Sequence, residues 1–182
     1  MNWRNSNTRY GTLSIGLHWL MLLLIAAVYA CMELHENFPK GSELREGLKT
    51  WHFMLGLSVL ALLLLRAALN LSGRLPRIEP EPPAWQARMA KGMHLALYAW
   101  MVVMPLLGWL LLSAEGKPIA FFGIDLPALV GQSERVAEWA EEMHEAGASF
   151  GYFLVGLHAA AALFHHYVVR DDTLRRMLPQ RD

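Results

Sequence analysis

Apolar residues gather in this chain into long runs, with the charged residues collected between them. Leu13 to Met32 is one apolar segment broken by His18, and Gly92 to Ala114 and Ala146 to Val169 carry no charge at all. Each reaches the roughly 18–20 residues that a helix rising ~1.5 Å per residue needs to cross a ~30 Å hydrocarbon layer. Thr50 to Leu71 is a fourth run, with Arg66 near one end, where a long side chain can snorkel to the headgroups. The pattern predicts an all-α integral membrane four-helix bundle forming a single domain over 1–182, with spans near 11–32, 50–71, 92–114 and 144–169. Pro105 is expected to kink the third helix. The proline-rich stretch Asn70 to Trp85 reads as an extended connector. Pro118 to Val130 is apolar but loop-placed, either a short interfacial segment capping the bundle or an ordinary packed loop.

Charge gives the spans a direction. Eleven of the 16 lysines and arginines lie in the N-terminus, the second loop and the tail (among them Arg9, Arg74, Arg77, Arg88, Arg170 and Arg175), and the other five are Lys40, Arg45, Lys49, Lys117 and Arg135. The positive-inside rule therefore places both termini in the cytoplasm, with membrane lipid as the surroundings. The acids of the opposite loops, Glu33, Glu36, Glu43, Glu46, Glu134, Glu138, Glu141 and Glu142, read as solvated loop residues. The first run is too long for a signal peptide, and Tyr29 spoils a lipoprotein cleavage site before Cys31. A formal charge of zero gives no case for nucleic-acid binding. The single Cys31 cannot form an internal disulfide, and no Cys-x-x-Cys-His run is present for covalent haem attachment.

The chemistry lies in the histidines. A lone histidine within a membrane helix is most simply bonded to a neighbouring backbone or hydroxyl group. The arrangement here is different. His144 and His158 are 14 residues apart on the fourth run, which puts them within about 40° of one face and about 21 Å apart along the axis. One metal ion cannot be shared over that distance, whereas two centres can be served. Following the alternating direction of the spans, His18 falls at the depth of His158 and His52 at the depth of His144. An imidazole from each of two opposing helices suits bis-histidine haem, with the porphyrin in an apolar gap. Gly56, Gly151, Gly16 and Ala159 to Ala162 remove bulk near these positions, although small residues also let membrane helices pack closely.

Other residues leave choices open. His94 opens the third run at the cytoplasmic side and competes with His18 as a ligand. His165 shares the face of His158 near the cytoplasmic surface and is a candidate for proton exchange with a bound quinone. His166 points about 100° away and is read as packing or solvated, and His35 as a loop residue without a role. Arg66 and Arg74 are candidates for haem propionates or quinone oxygens, as well as for charge anchoring. A zinc site would need three or four ligands, and His-Glu-x-x-His is absent. The alternatives are a haem b subunit anchoring a dehydrogenase or hydrogenase, and a haem-free metal or proton transporter.

The runs Ser14-Ile15-Gly16-Leu17-His18-Trp19, Trp51-His52 with Gly56, Met143-His144-Glu145, and Gly151-Tyr152-Phe153-Leu154-Val155-Gly156-Leu157-His158 followed by His165-His166 resemble the bacterial cytochrome b561 family over the whole chain. The resemblance implies an inner-membrane bundle with two haem b groups, the periplasmic one on His52 and His144 and the cytoplasmic one on His18 and His158. The similarity is strongest to enterobacterial members that take electrons from periplasmic superoxide and pass them to ubiquinone. The acidic outer loops do not obviously draw in a small anion, so Lys117, Arg135 or the surroundings of His144 would have to offset them.

Overall fold

A computed structural model describes residues 3, 5–6, 9–72 and 76–178. Four long helices run antiparallel: α1 (Thr12–His35), α2 (Glu43–Ser72), α3 (Ala84–Glu115) and α4 (Glu134–Phe164), the last continued by a π-helical turn over His165–Val169. All four are long and apolar enough to cross a membrane. The chain ends and the α2–α3 connector share one end of the bundle, here the terminal end. The α1–α2 connection and the 116–133 segment share the other, the hairpin end.

Three of the helices start well before their apolar runs. Glu43–Lys49, Ala84–Lys91 and Glu134–Met143 are helical although rich in charge, because polar residues with good helix propensity extend a helix beyond the hydrocarbon slab at little cost. The glutamates of α2 and α4 are therefore exposed helix residues and not loop residues. His35 is likewise the last residue of α1; it is buried, with Nδ1 2.5 Å from the Met32 carbonyl oxygen. α3 continues through Pro105.

At the hairpin end α3 stops at Gly116, whose φ of 71° is left-handed. Its N–H bonds Ser113 O at 3.1 Å and the Lys117 N–H bonds Leu112 O at 2.9 Å, closing a Schellman motif. The apolar 118–130 stretch then forms an antiparallel hairpin, β1 (Ile119–Phe121) and β2 (Ile124–Leu126), turning on Phe122 and Gly123, both at positive φ as in a type I′ turn. Ile119 is buried against Leu57 and Leu112, so the segment caps the bundle as a strand pair.

Packing is uneven. α1 lies on α2, α3 on α4 and α2 on α3, whereas the α1–α4, α2–α4 and α1–α3 backbones come close at few points or none among the described residues. The small core of Met21, Val59 and Leu63 joins α1 to α2, with Tyr98 and Met101 of α3 against it. Large apolar side chains such as Leu23, Leu64, Leu95 and Phe153 are exposed, which is the surface a lipid solvent requires and water penalises.

Candidate cofactor sites

Two of the helix pairs whose backbones are not closely packed, α1–α4 and α2–α4, have histidines that face each other. His52 of α2 and His144 of α4 have ring centroids 5.9 Å apart, with planes at 73°. His18 of α1 and His158 of α4 stand 6.3 Å apart, with planes at 74°. Metal–nitrogen bonds of about 2 Å on either side of one ion, plus the half-widths of two imidazoles, put trans axial ligands roughly 6 Å apart, centroid to centroid. Both pairs meet that spacing. Among the described residues no three His, Cys, Asp or Glu side chains converge as a metal-ligand set, so each pair offers two ring nitrogens, the number that a six-coordinate haem takes from its protein.

At the hairpin end the site is simple. A carbonyl can only accept, so the 3.1 Å contact between His52 Nδ1 and Val28 O fixes Nδ1–H as the donor and leaves Nε2 as the free lone pair. Such an outer hydrogen bond is what orients a metal-binding imidazole. His144 faces the Met104 carbonyl, and among the described residues its buried Nδ1 makes no hydrogen bond of ordinary geometry. A cavity lies between the pair, lined by Phe53, Gly56, Leu57, Pro105, Gly108, Trp109, Leu112 and Ile119 as well as the two histidines. A Cβ on Gly56 would meet nothing, whereas one on Gly108 would sit 3.4 Å from His144 Cε1. Gly108, Trp109 and Ile119 escape a reading of the sequence, because Ile119 reaches the pocket only through the hairpin and Gly108 carries no chemical signal.

The terminal end is more crowded. His94 of α3 also faces His158, at 5.6 Å and 65°. α3 and α4 pack backbone to backbone, whereas α1 and α4 meet mainly through side chains such as Tyr29 on Ala148 O. Arg66 is half-buried and does not reach for the bundle end as a snorkelling side chain would: its Nη1 lies 2.8 Å from His18 Nδ1. A guanidinium has no lone pair to give, so here His18 accepts at Nδ1 and carries its proton on Nε2. Binding a metal through Nε2 requires Arg66 to release that nitrogen, which frees a cation for an anionic group such as a propionate. Among the described residues no carboxylate pairs with Arg66. Arg74 lies outside the described residues.

Between the two sites Gly151 does not border open space. A Cβ there would collide with the Trp100 ring and the Tyr29 hydroxyl. Trp100 Nε1 donates to Gly147 O at 2.8 Å and Tyr29 Oη to Ala148 O at 2.6 Å. Gly151 therefore admits two aromatic side chains that partition the bundle midway. Gly16, by contrast, has nothing within reach of an added Cβ.

His165 lies beyond His158 and contacts Asp171, Nδ1 to Oδ2, at 2.5 Å; His166 is half-buried beside Tyr167. Of the cations considered at the hairpin end, Lys117 pairs with Glu115 at 2.9 Å, while Arg135 lines a surface hollow with Val136 and Trp139. Arg45 donates to the His35 and Phe38 carbonyls at 3.1 and 3.0 Å.

The chain is similar to known proteins along nearly its whole length. The family model described as prokaryotic cytochrome b561 matches residues 9–180. Cytochrome b561 homolog 1 of Escherichia coli K12 is 40% identical over 173 residues, covering 95% of this chain and 98% of its own length. A probable superoxide oxidase, CybB, of Yersinia pestis is 33% identical over 173 residues, 95% of this chain and 97% of its own. Cytochrome b562 of Cereibacter sphaeroides is 28% identical over 178 residues, 94% and 96% respectively.

Proposed function

The chain belongs to the prokaryotic cytochrome b561 family of haem b electron-transfer membrane proteins, and from that premise we propose that it oxidises superoxide at its periplasmic face and reduces ubiquinone at its cytoplasmic face. The two facing histidine pairs carry this reading. In it His52 and His144 would hold one haem b, and His18 and His158, the latter about 21 Å from His144 along α4, would hold a second. Bound there, haem would supply one-electron chemistry. The hairpin end is periplasmic and both termini lie in the cytoplasm, as the distribution of lysines and arginines favours.

The protein's own contribution is placement and exclusion. Val28 O holds the His52 ring in the tautomer that offers Nε2. Phe53, Leu57, Leu112 and Ile119 keep water from the first site. His18 is chosen over His94 because the α1 backbone packs less closely against α4 than the α3 backbone does. Arg66 provides positive charge beside the second site for a propionate or a quinone oxygen. At the cytoplasmic end His165 supplies a proton to the acceptor, since two superoxide anions, one quinone and two protons give two dioxygen molecules and one quinol. The superoxide assignment is supported by the name of the Yersinia pestis relative.

The deciding experiment mixes oxidised, haem-loaded protein with pulsed superoxide in a stopped-flow spectrometer, with and without ubiquinone. Rapid appearance of reduced b-type bands, followed by their decay only when quinone is present, is expected. Reduction no faster than the buffer control removes the donor assignment; reduction that persists in the presence of quinone removes the acceptor.

A further inference from the structure

The last two turns of the fourth helix and the segment after it form a polar structure that electron transfer alone does not explain. His165 is seven residues past His158, on the same face and about 10.5 Å farther along the axis. There the helix widens into the π-turn, and Arg170 takes a left-handed φ of 61°. The N–H of Asp171 turns back to His165 O at 3.2 Å. This reversal brings Asp171 Oδ2 to His165 Nδ1, while its Oδ1 accepts the Thr173 N–H at 2.9 Å. The carboxylate is 1% exposed.

The α2–α3 connector and α1 hold the segment in place. Asp172 N–H donates to Glu79 O at 3.1 Å and Glu79 N–H to Asp172 Oδ1 at 3.0 Å. Arg176 Nη1 donates to Pro76 O at 2.7 Å, and Trp19 Nε1 to Met177 O at 2.6 Å. A helix stop alone does not call for an acid here. The carboxyl end of a helix carries partial negative charge and repels a carboxylate, so Asp171 is placed against the helix and in favour of His165. Burial pushes the Asp171 carboxyl up, but the N–H donors of His165 and Thr173 outweigh it and hold the group below the usual carboxylate range. At the same end of the bundle His166 Nδ1 and Gln86 Oε1 are buried without a hydrogen-bond partner among the described residues, which leaves polar atoms for a polar headgroup.

We propose that Asp171 and His165 form the proton-transfer dyad of the quinone site, with Asp171 the positioning residue that holds His165 Nδ1–H and turns Nε2 toward the acceptor. The inference deepens the quinone reading and rests on it. In each transfer the Nε2–H bond of the imidazolium breaks and an O–H bond forms on the quinone oxygen, which has received its electron from the one-electron donor at the other face. The imidazole is left neutral, with Nδ1–H still on Asp171, and water at the membrane surface restores the proton. Two such cycles accompany two electrons and yield one quinol. The arrangement is that of an acid that orients a histidine without itself taking the proton.

The test uses haem-loaded protein reduced beforehand with dithionite, so that the donor does not enter, and follows haem reoxidation by ubiquinone-1. Asp171→Asn keeps the shape and removes the charge. It is expected to slow the maximal rate by about 10- to 100-fold, with KM changed by no more than about twofold. A larger solvent isotope effect and partial recovery in concentrated weak-acid buffer are expected as well. Asp171→Glu should recover part of the loss, and His165→Gln should reproduce it, buffer rescue included. Wild-type rates in Asp171→Asn and His165→Gln overturn the dyad, as does a loss that no buffer recovers. Failure of the wild type itself to be reoxidised overturns the quinone reading, and the dyad with it.

Discussion

The two ends of this bundle hold the same pair of imidazoles in different company. At the hairpin end the pair stands among Phe53, Leu57, Leu112 and Ile119, with the Val28 carbonyl accepting from His52. At the terminal end it stands beside a third histidine, a half-buried guanidinium and, farther along the same helix, a histidine–carboxylate pair. Passing a single electron requires little reorganisation and favours a dry, uncharged site. Reducing a two-electron, two-proton acceptor requires groups that carry charge and protons. The contrast separates an electron entry from a site where electrons and protons meet.

The contrast breaks most directly at the ligands. His52→Ala and His144→Ala are each expected to abolish binding of one haem and leave the other, measured as haem per protein together with the low-temperature reduced spectrum. His158→Ala should remove the other haem, with the complementary spectral component. Loss of neither haem, or of the same component from both ends, would sink the division into two sites.

A finer break concerns the third histidine. His18→Ala should cost the terminal-end haem and His94→Ala should keep both, because the α3 backbone lies directly on α4 while the α1 backbone packs less closely against it. The opposite result would move the ligand to α3. Arg66→Gln in the same series should lower the midpoint potential of the terminal-end haem by an amount on the order of tens of millivolts, since a cation in a low-dielectric site stabilises the reduced state. The hairpin-end potential should stay in place, and redox titration resolves the two.

The residues behind these predictions were not equally legible in the sequence. The four helices were, since runs such as Gly92 to Ala114 leave no other structure that satisfies the backbone in lipid. Their beginnings were not: Glu43–Lys49 and Glu134–Met143 look like loops to a hydropathy reading and are helical all the same. The facing of His52 with His144 and of His18 with His158 followed from depth and helical face. The partnership of His165 with Asp171 did not, because a regular helix would carry residue 171 away and only the π-turn returns it. Gly151 was legible as a small residue on the ligand face but not as the seat of Trp100 and Tyr29, which depends on how α1 and α3 lean on α4. Gly151→Ala tests that seat: overpacking by one methyl against two fixed rings should cost about 1–3 kcal/mol, seen as a lower unfolding midpoint with haem content retained.

The smallest expected effect is confined to the terminal end and comes from the Asp171 carboxyl. An unfolded aspartate titrates near 3.8, and in the folded protein the His165 and Thr173 donors, acting against burial, hold this one lower. A carboxyl whose folded value is depressed binds fewer protons when folded than when unfolded. Its contribution is therefore complete above the unfolded value and is lost as pH falls through the folded one. The segment from Asp171 to Met177 should loosen over that range, releasing the bonds to Glu79, Pro76 and Trp19. The pocket around His52 and His144 has no carboxylate in its lining and should not respond. Hydrogen exchange at the Thr173 amide, corrected for the intrinsic effect of pH, is expected to accelerate on acidification in the wild type. Asp171→Asn, which has no charge to lose, should exchange faster at neutral pH and show no further acid step. An equal acid response at the Ile119 hairpin would mean that the bundle loosens as a whole and that the two ends do not differ in this respect.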